Sequence, residues 1–151
     1  MVNTIVTTTI YSISEATKKF ASLKNWNFII VGDKKTPHNE YIKFEEENVN
    51  VKYLTPEYQE EHFKEMSDLI GWNTISRRNI GFLEALKNNS EIIASVDDDN
   101  IPLDNWGKNI MIGKSVDVYY YETDELAFDP IGVTNYPNLW HRGFPIQILN
   151  N

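Results

Sequence analysis

Cysteine is absent from this 151-residue sequence, which excludes disulfide scaffolds, zinc–thiolate and iron–sulfur sites, and thiol nucleophiles. Basic residues are scarce: 14 Lys and Arg stand against 22 Asp and Glu, for a formal net charge of −8. Such a chain repels phosphate backbones and anionic membranes, so nucleic acid is not expected as a partner. No run approaches the ~20 apolar residues of a membrane span. The opening Met1-Val2-Asn3-Thr4 lacks the basic-then-apolar layout of a signal peptide, and a cytoplasmic location is the expectation. What is present is a composition 41% hydrophobic and 13% aromatic, enough to bury a core without staples. With no repeat, low-complexity tract or linker, a single domain over 1–151 is expected.

Strand and helix signals alternate along the chain. Thr4 to Tyr11 is dense in β-branched residues and predicts a buried first strand. Ser12-Ile13-Ser14-Glu15 fits a capping box, and Ile13, Ala16, Phe20 and Leu23 follow at helical spacing. Trp26 to Val31 is a second apolar run, closed by Gly32-Asp33, so the first thirty-odd residues predict a βαβ unit. Lys34 to Asn39 is expected as a loop, Glu45 to Asn48 as an acidic turn, and Val49 to Leu54 as a third strand. Thr55-Pro56-Glu57 starts a helix that Phe63, Met66 and Ile70 continue to Gly71. Another helix is expected from about Ile75 to Lys87, burying Ile75, Phe82, Leu83 and Leu86, and then a strand, Glu91 to Val96. Val116 to Tyr121 predicts a further strand, and the rest of the C-terminal region is loop-rich. The alternation predicts an α/β fold with a mainly parallel central sheet.

In such sheets ligands bind at the carboxyl ends of the strands. Three expected strand ends carry polar residues there: Thr7-Thr8-Thr9, Asp33, and Asp97-Asp98-Asp99. The aspartate triplet is the strongest signal, because three adjacent carboxylates repel one another and no basic residue lies within several positions. A hard divalent cation, Mg²⁺ or Mn²⁺, would relieve that repulsion, held by one or two carboxylates and completed by phosphate oxygens and water. A solvated acidic turn is the bland alternative. An EF-hand loop starting at Asp97 fails, with Ile101 where an oxygen ligand is required and Pro102 where glycine is required. The Asp-x-Asp opening of aspartate-nucleophile phosphatases fits only in part, since that motif usually follows the first strand of its fold.

Taken in order, these pieces resemble the nucleotide-sugar domain of GT-A glycosyltransferases. The matching residues are Thr7 and Thr8 on the first strand, Asp33 after the second, the run Arg77-Arg78-Asn79-Ile80-Gly81, and Asp97-Asp98-Asp99. Within that group the chain is similar to the reversibly glycosylated polypeptides (UDP-arabinopyranose mutases) and STELLO-type proteins, which combine an Asp-Asp-Asp motif with a later Arg-Gly-aromatic-Pro segment. Here Phe128-Asp129-Pro130 and Trp140-His141-Arg142-Gly143-Phe144-Pro145 stand in those places, with Phe144 where the mutases have tyrosine. The likeness runs from Thr4 to about Ile148.

The resemblance implies a Rossmann-like three-layer α/β/α domain of the GT-A type with a short C-terminal half. It also implies a metal-dependent glycosyltransferase that binds a UDP-sugar donor. Asp33 would accept the N3–H of uracil, and Thr7 or Thr8 would line the base pocket. Arg77 or Arg78 would face the nucleotide or diphosphate, with Asn79 supporting the turn or ribose. Asp97 would contact ribose or a metal-bound water, Asp99 would ligate Mn²⁺ or Mg²⁺, and Asp98 would point toward the sugar. Arg142 falls where the mutases become glycosylated, and Asp129 is its alternative partner. His141 is placed to act as a late metal or phosphate ligand, whereas His38 and His62 are expected at the surface. The acceptor, a saccharide, protein or lipid, is left open by the sequence, as is the general base, for which Glu122, Asp124 and Glu125 are candidates by location. A nucleotide-sugar mutase acting through Arg142 and a non-catalytic nucleotide-sugar binding module are the alternatives. Tyr119-Tyr120-Tyr121 and Trp140 are expected in the core, or else as an acceptor platform or homo-oligomer face.

Overall fold

The computed structural model describes residues 2–136 and 138–148. The chain divides into two units, Met1–Lys108 and Asn109–Asn151, and each is described by itself.

The first unit is built on four strands: β1 (Asn3–Thr9), β2 (Asn27–Gly32), β3 (Val51–Leu54) and β4 (Ile92–Ser95). They form one sheet in the order β3-β2-β1-β4, and every pairing is parallel. The fold is thus α/β with Rossmann-like alternation. Its helices are α1 (Glu15–Ala21), α2 (His38–Glu47), α3 (Pro56–His62), α4 (Lys64–Ile70) and α5 (Arg78–Lys87). Among the described residues no helix is long and apolar enough to cross a membrane.

Both faces of the sheet are covered. On one, Val6, Ile29, Val31 and Leu54 form a core with Ile80 and Ala85 of α5, flanked by Tyr58, Phe63, Met66 and Ile70 of the α3–α4 segment. On the other, Phe28 meets Phe20 of α1, ring centroids 5.9 Å apart. Because successive strand residues point to opposite faces, the continuous apolar run of β2 serves both layers. Gly81 sets the closeness of α5: a Cβ there would run into Val6 Cγ1 and come within 2.8 Å of Val31 Cγ2.

Several elements differ from the sequence expectation, each for a local reason. β1 ends at Thr9, and α1 takes Ser14 as its N-cap, with Oγ accepting from the Thr17 amide at 3.0 Å. The expected Ser12–Glu15 capping box does not form; Ser12 instead bonds Glu40. Glu45 to Glu47, expected as a turn, are the last residues of α2, a helix that forms because Tyr41 and Phe44 bury one side of an otherwise polar segment. The helix expected from Pro56 to Ile70 breaks at Phe63 (φ −138°, ψ 36°), a bend that lets Tyr58, Phe63, Met66 and Ile70 all reach the same core. The helix expected from Ile75 starts as a short 3₁₀ turn and becomes α-helical only at Arg78. Its buried side is Ile80, Gly81, Glu84 and Ala85, while Ile75 and Leu86 are exposed, because the small residues allow the close approach.

In the second unit Val116 to Tyr121 forms no strand, and no strand among the described residues pairs with it. An unpaired strand leaves its backbone groups to water, so β-branched composition alone does not produce one. Tyr119, Tyr120, Tyr121 and Trp140 are exposed rather than core. Order in this unit comes from turns: Asp129 Oδ1 accepts from the Ile131 amide at 3.0 Å and the His141 amide at 3.4 Å. A 3₁₀ turn spans Ile146–Ile148.

Candidate functional site

The strand order reverses between β1 and β4. The chain steps from β1 outward to β2 and β3, then returns to the other side of β1. At such a switch point the connections leave in opposite directions and open a crevice at the strands' carboxyl ends. A cavity of about 270 Å³ lies there, lined by Thr8 to Tyr11 at and beyond the end of β1, Asp33 and Lys35 after β2, Asn73 to Ile75 before α5, and Asp98 after β4.

Four chain segments are hydrogen-bonded together around it. Thr9 Oγ1 donates to Asp98 Oδ2, and Ser14 Oγ donates to the Asp98 carbonyl, both as short contacts. The Thr36 hydroxyl donates to the Thr9 carbonyl at 2.6 Å and accepts from the Asp33 amide at 2.8 Å. Asp33 is buried. Its carboxylate accepts from the Lys34 amide at 2.6 Å and the Thr74 amide at 3.3 Å, which uses two of the roughly four lone-pair positions that a carboxylate offers. Tyr11 is exposed over the cavity, and its carbonyl accepts from the Tyr41 hydroxyl at 3.0 Å. Burial raises the Tyr41 hydroxyl above the usual phenol range despite its bond with Thr9, so it stays a neutral donor. Behind it Tyr53 stacks on Tyr41 at 5.1 Å and bonds His38 Nδ1 at 2.7 Å. His38, expected at the surface, is therefore a half-buried anchor of α2.

The two arginines separate. Arg77, expected toward a nucleotide, is fully buried and does not line the cavity. Its Nε and Nη2 donate to Gln59 Oε1 at 3.1 and 2.5 Å, and its Nη1 donates to Ser67 Oγ at 3.0 Å and the Gly71 carbonyl at 3.2 Å. Its guanidinium lies 3.6 Å from the Trp72 ring centroid. Gln59 in turn donates to the carbonyls of Gly32 and Leu54 at 2.8 and 2.7 Å. Arg77 thus fastens the Gly71-to-Ile75 wall of the cavity to the ends of β2 and β3. That segment needs the fastening, for both Gly71 (φ 72°) and Asn73 (φ 58°) take left-handed backbone conformations.

Arg78 is the arginine that reaches the aspartate triplet. Its Nη2 donates to Asp97 Oδ1 at 2.6 Å and its Nη1 to Ser95 Oγ at 3.1 Å. Asn100 Nδ2 adds a bond to Asp97 Oδ2 at 3.3 Å. The repulsion inferred from the sequence is thereby offset by a cation 19 positions away. Asp97 faces Arg78, Asp98 is tied to Thr9, and Asp99 is exposed. Among the described residues no group of three or more His, Asp or Glu side chains is arranged to hold a metal by itself.

Of the other expected residues, Thr8 lines the cavity but directs its hydroxyl to the Val31 carbonyl at 2.9 Å. Thr7 is buried, its Oγ1 has no partner among the described residues, and it does not line the cavity. Asn79 is exposed on α5. His141 and Arg142 are exposed within the second unit, where His141 Nδ1 accepts from the Gly143 amide at 3.2 Å. Tyr11, Lys35 and Thr74 are site residues that the sequence reading did not single out, and Thr9 stood within a polar strand end that it named without giving Thr9 a role. The signal for Tyr11 was its place just beyond the end of β1; nothing local marks Thr74, which reaches Asp33 across 41 positions. No family model matches the chain, and no curated protein matches it.

Proposed function

We propose that the first unit binds a UDP-sugar and serves as the donor site of a metal-dependent glycosyltransferase of the GT-A type. The observation that carries this reading is the convergence of Tyr11, Asp33, Thr74 and Asp98 on one cavity at the switch point of a parallel sheet.

Each residue has a role that its surroundings allow. The Asp33 carboxylate, held by two amides, accepts the imide N–H of uracil, a donor that cytosine lacks. The exposed Tyr11 ring offers a stacking face for the base, its backbone held by Tyr41. Lys35 brings one positive charge to the cavity wall of an acidic protein.

The donor set near Asp98 and Asp99 suits a hard cation shared with a diphosphate. Mg²⁺ or Mn²⁺ in such sites takes one or two carboxylates and completes its shell with phosphate oxygens and water. Asp98 and Asp99 would hold it, with Asp97 restrained by Arg78. Bound there, the cation supplies Lewis-acid stabilisation of the charge that develops on the departing diphosphate. Thr9 and Ser14 orient Asp98, side chain and backbone respectively, so the loop after β4 is positioned before any ligand arrives.

Calorimetric titration of UDP in Mn²⁺ and in EDTA, on wild type, Asp33→Asn and Asp99→Ala, tests this reading. UDP affinity is expected to fall roughly tenfold or more in EDTA and in Asp99→Ala, the loss of a direct charge contact. Asp33→Asn is expected to erase the preference for UDP over CDP. Equal UDP affinity under all these conditions overturns the proposal. With labelled UDP-sugar, release of UDP marks transfer, label held on the protein but absent from Arg142→Ala marks mutase chemistry, and binding without turnover marks a donor-binding module.

A further inference from the structure

The aspartate turn separates two cavities. Asp98 lines the one described above, while Asp97 lines a second, of about 370 Å³, on the other side of the turn at the end of β4. This volume lies in the range of small-molecule sites. Its polar side is Arg78, Ser95, Asp97 and Asn100; its apolar side is Phe20, Pro102, Leu103 and Trp106.

Charge and shape together narrow the ligand. Arg78 and Asp97 cancel each other through their 2.6 Å contact, so the cavity has no net charge to draw an anion or a cation. The Arg78 side chain is only 16% exposed, and its bonds from Nη1 to Ser95 and from Nη2 to Asp97 fix the guanidinium as one wall of the cavity. Asn100 contributes an amide with both donor and acceptor atoms. Facing this polar edge, the Trp106 indole is braced edge-on by Phe20 at 5.2 Å and by Trp26 at 5.1 Å. Gly107 (φ 72°) turns the chain directly behind it, 3.0 Å from Trp26 Nε1 at its would-be Cβ. The indole is therefore held rigidly, half-exposed, opposite a row of hydrogen-bonding groups. A neutral molecule with an apolar face and a polar rim complements that arrangement, and a pyranose ring is such a molecule: its axial C–H groups pack on an aromatic face while its hydroxyls bond at the edge.

We infer that this second cavity binds a neutral pyranose, stacked on Trp106 and hydrogen-bonded to Asp97, Asn100 and Arg78. That this saccharide is the acceptor of the transfer rests on the function proposed above; its binding does not. The two cavities are lined by neighbouring residues of one turn, Asp98 and Asp97.

Saturation-transfer NMR with methyl α- and β-pyranosides of glucose, galactose and mannose, and with their disaccharides, tests the inference on the full chain. At least one of these is expected to bind, with a matching change in tryptophan fluorescence. Trp106→Leu is expected to weaken it roughly tenfold, the loss of an aromatic contact. Because Trp106 also packs on Phe20 and Trp26, Leu103→Glu provides a second variant at a residue 77% exposed, where a charge blocks the cavity without touching the core. It is expected to weaken the saccharide several-fold and leave UDP affinity unchanged. Absence of binding by every saccharide, or binding unaffected by both variants, overturns the inference. Saccharide binding that persists in a protein indifferent to UDP would sustain this cavity while defeating the donor site.

Discussion

Arg78 donates to Asp97 at 2.6 Å across 19 residues of chain, so the acidic turn after β4 carries its own cation. Arg78 thereby keeps Asp97 from the divalent ion proposed for Asp98 and Asp99, and its removal frees that carboxylate to join them. In Arg78→Ala, Mn²⁺ alone is expected to bind up to about fivefold more tightly than in wild type, the scale of a partly exposed ion pair. Manganese electron paramagnetic resonance, with no nucleotide present, measures it directly. Unchanged or weaker binding would mean that Asp97 takes no part in holding the ion.

The buried Arg77 makes a different prediction, one of stability. Truncating it to Ala strands the Gln59 carbonyl oxygen and the Gly71 carbonyl in the interior and leaves a cavity beside Trp72. A loss of about 3 kcal/mol is expected in urea unfolding. Arg77→Lys should recover little of it, because an ammonium lacks the planar fork that reaches Gln59 and Ser67 together.

Gly81 is expected to tolerate no side chain. Val6 and Val31, the residues a Cβ would strike, are β-branched and fully buried, so neither can swing aside. Gly81→Ala should cost about 1–3 kcal/mol through overpacking, even though alanine is the better helix former. Denaturation midpoints settle the sign.

Glu84 and Lys52 give a pH dependence. Burial pushes the Glu84 carboxyl up, but the 2.5 Å bond from Lys52 with help from Asn88 and Tyr58 outweighs it, and the group lies below the usual carboxylate range. A carboxyl depressed on folding adds stability above its unfolded pKa and loses it as pH falls through the folded value. Lys52 shows the converse: burial lowers it, but the bonds to Glu84 and Tyr58 and their charge together outweigh burial, and its net shift is upward. Its contribution is complete below the ordinary lysine range and lost as pH rises through the raised value. Glu84→Gln is expected to cost about 1–2 kcal/mol at neutral pH, discounted because Lys52 is partly exposed. That difference should shrink toward zero in unfolding experiments at acid pH. A penalty equal at neutral and acid pH would show that packing, not charge, is what Glu84 supplies.

How much of this was legible beforehand varies by element. The strands β1 to β4 were readable because each is a short apolar run with turn residues at its end, and their alternation with helices implied a parallel sheet. α2 was read as loop and acidic turn because its helical signal rests on two residues, Tyr41 and Phe44, in a polar stretch. The side of α5 that packs was read only in part, for a related reason: Phe82 packs against the core as expected, whereas Ile75 and Leu86 are exposed. Periodicity favours the large apolar residues, whereas contact with the sheet favoured the small ones at Gly81 and Ala85.

The candidate site divides in the same way. Chain order by itself determined that polar residues would stand at the ends of β1, β2 and β4, and hence that Thr8, Asp33 and Asp98 would share one end of the sheet, since parallel strands place all their carboxyl ends together. It could not assign roles to two adjacent arginines. Backbone direction at the 3₁₀-to-α junction decided that Arg77 enters the interior while Arg78 meets Asp97. Hydrogen bonds and close packing act between atoms a few ångströms apart, and which atoms those are depends on how distant segments come together. That is why Thr74 at Asp33, Ser14 at Asp98 and Trp106 beside Phe20 belong to the tertiary structure alone.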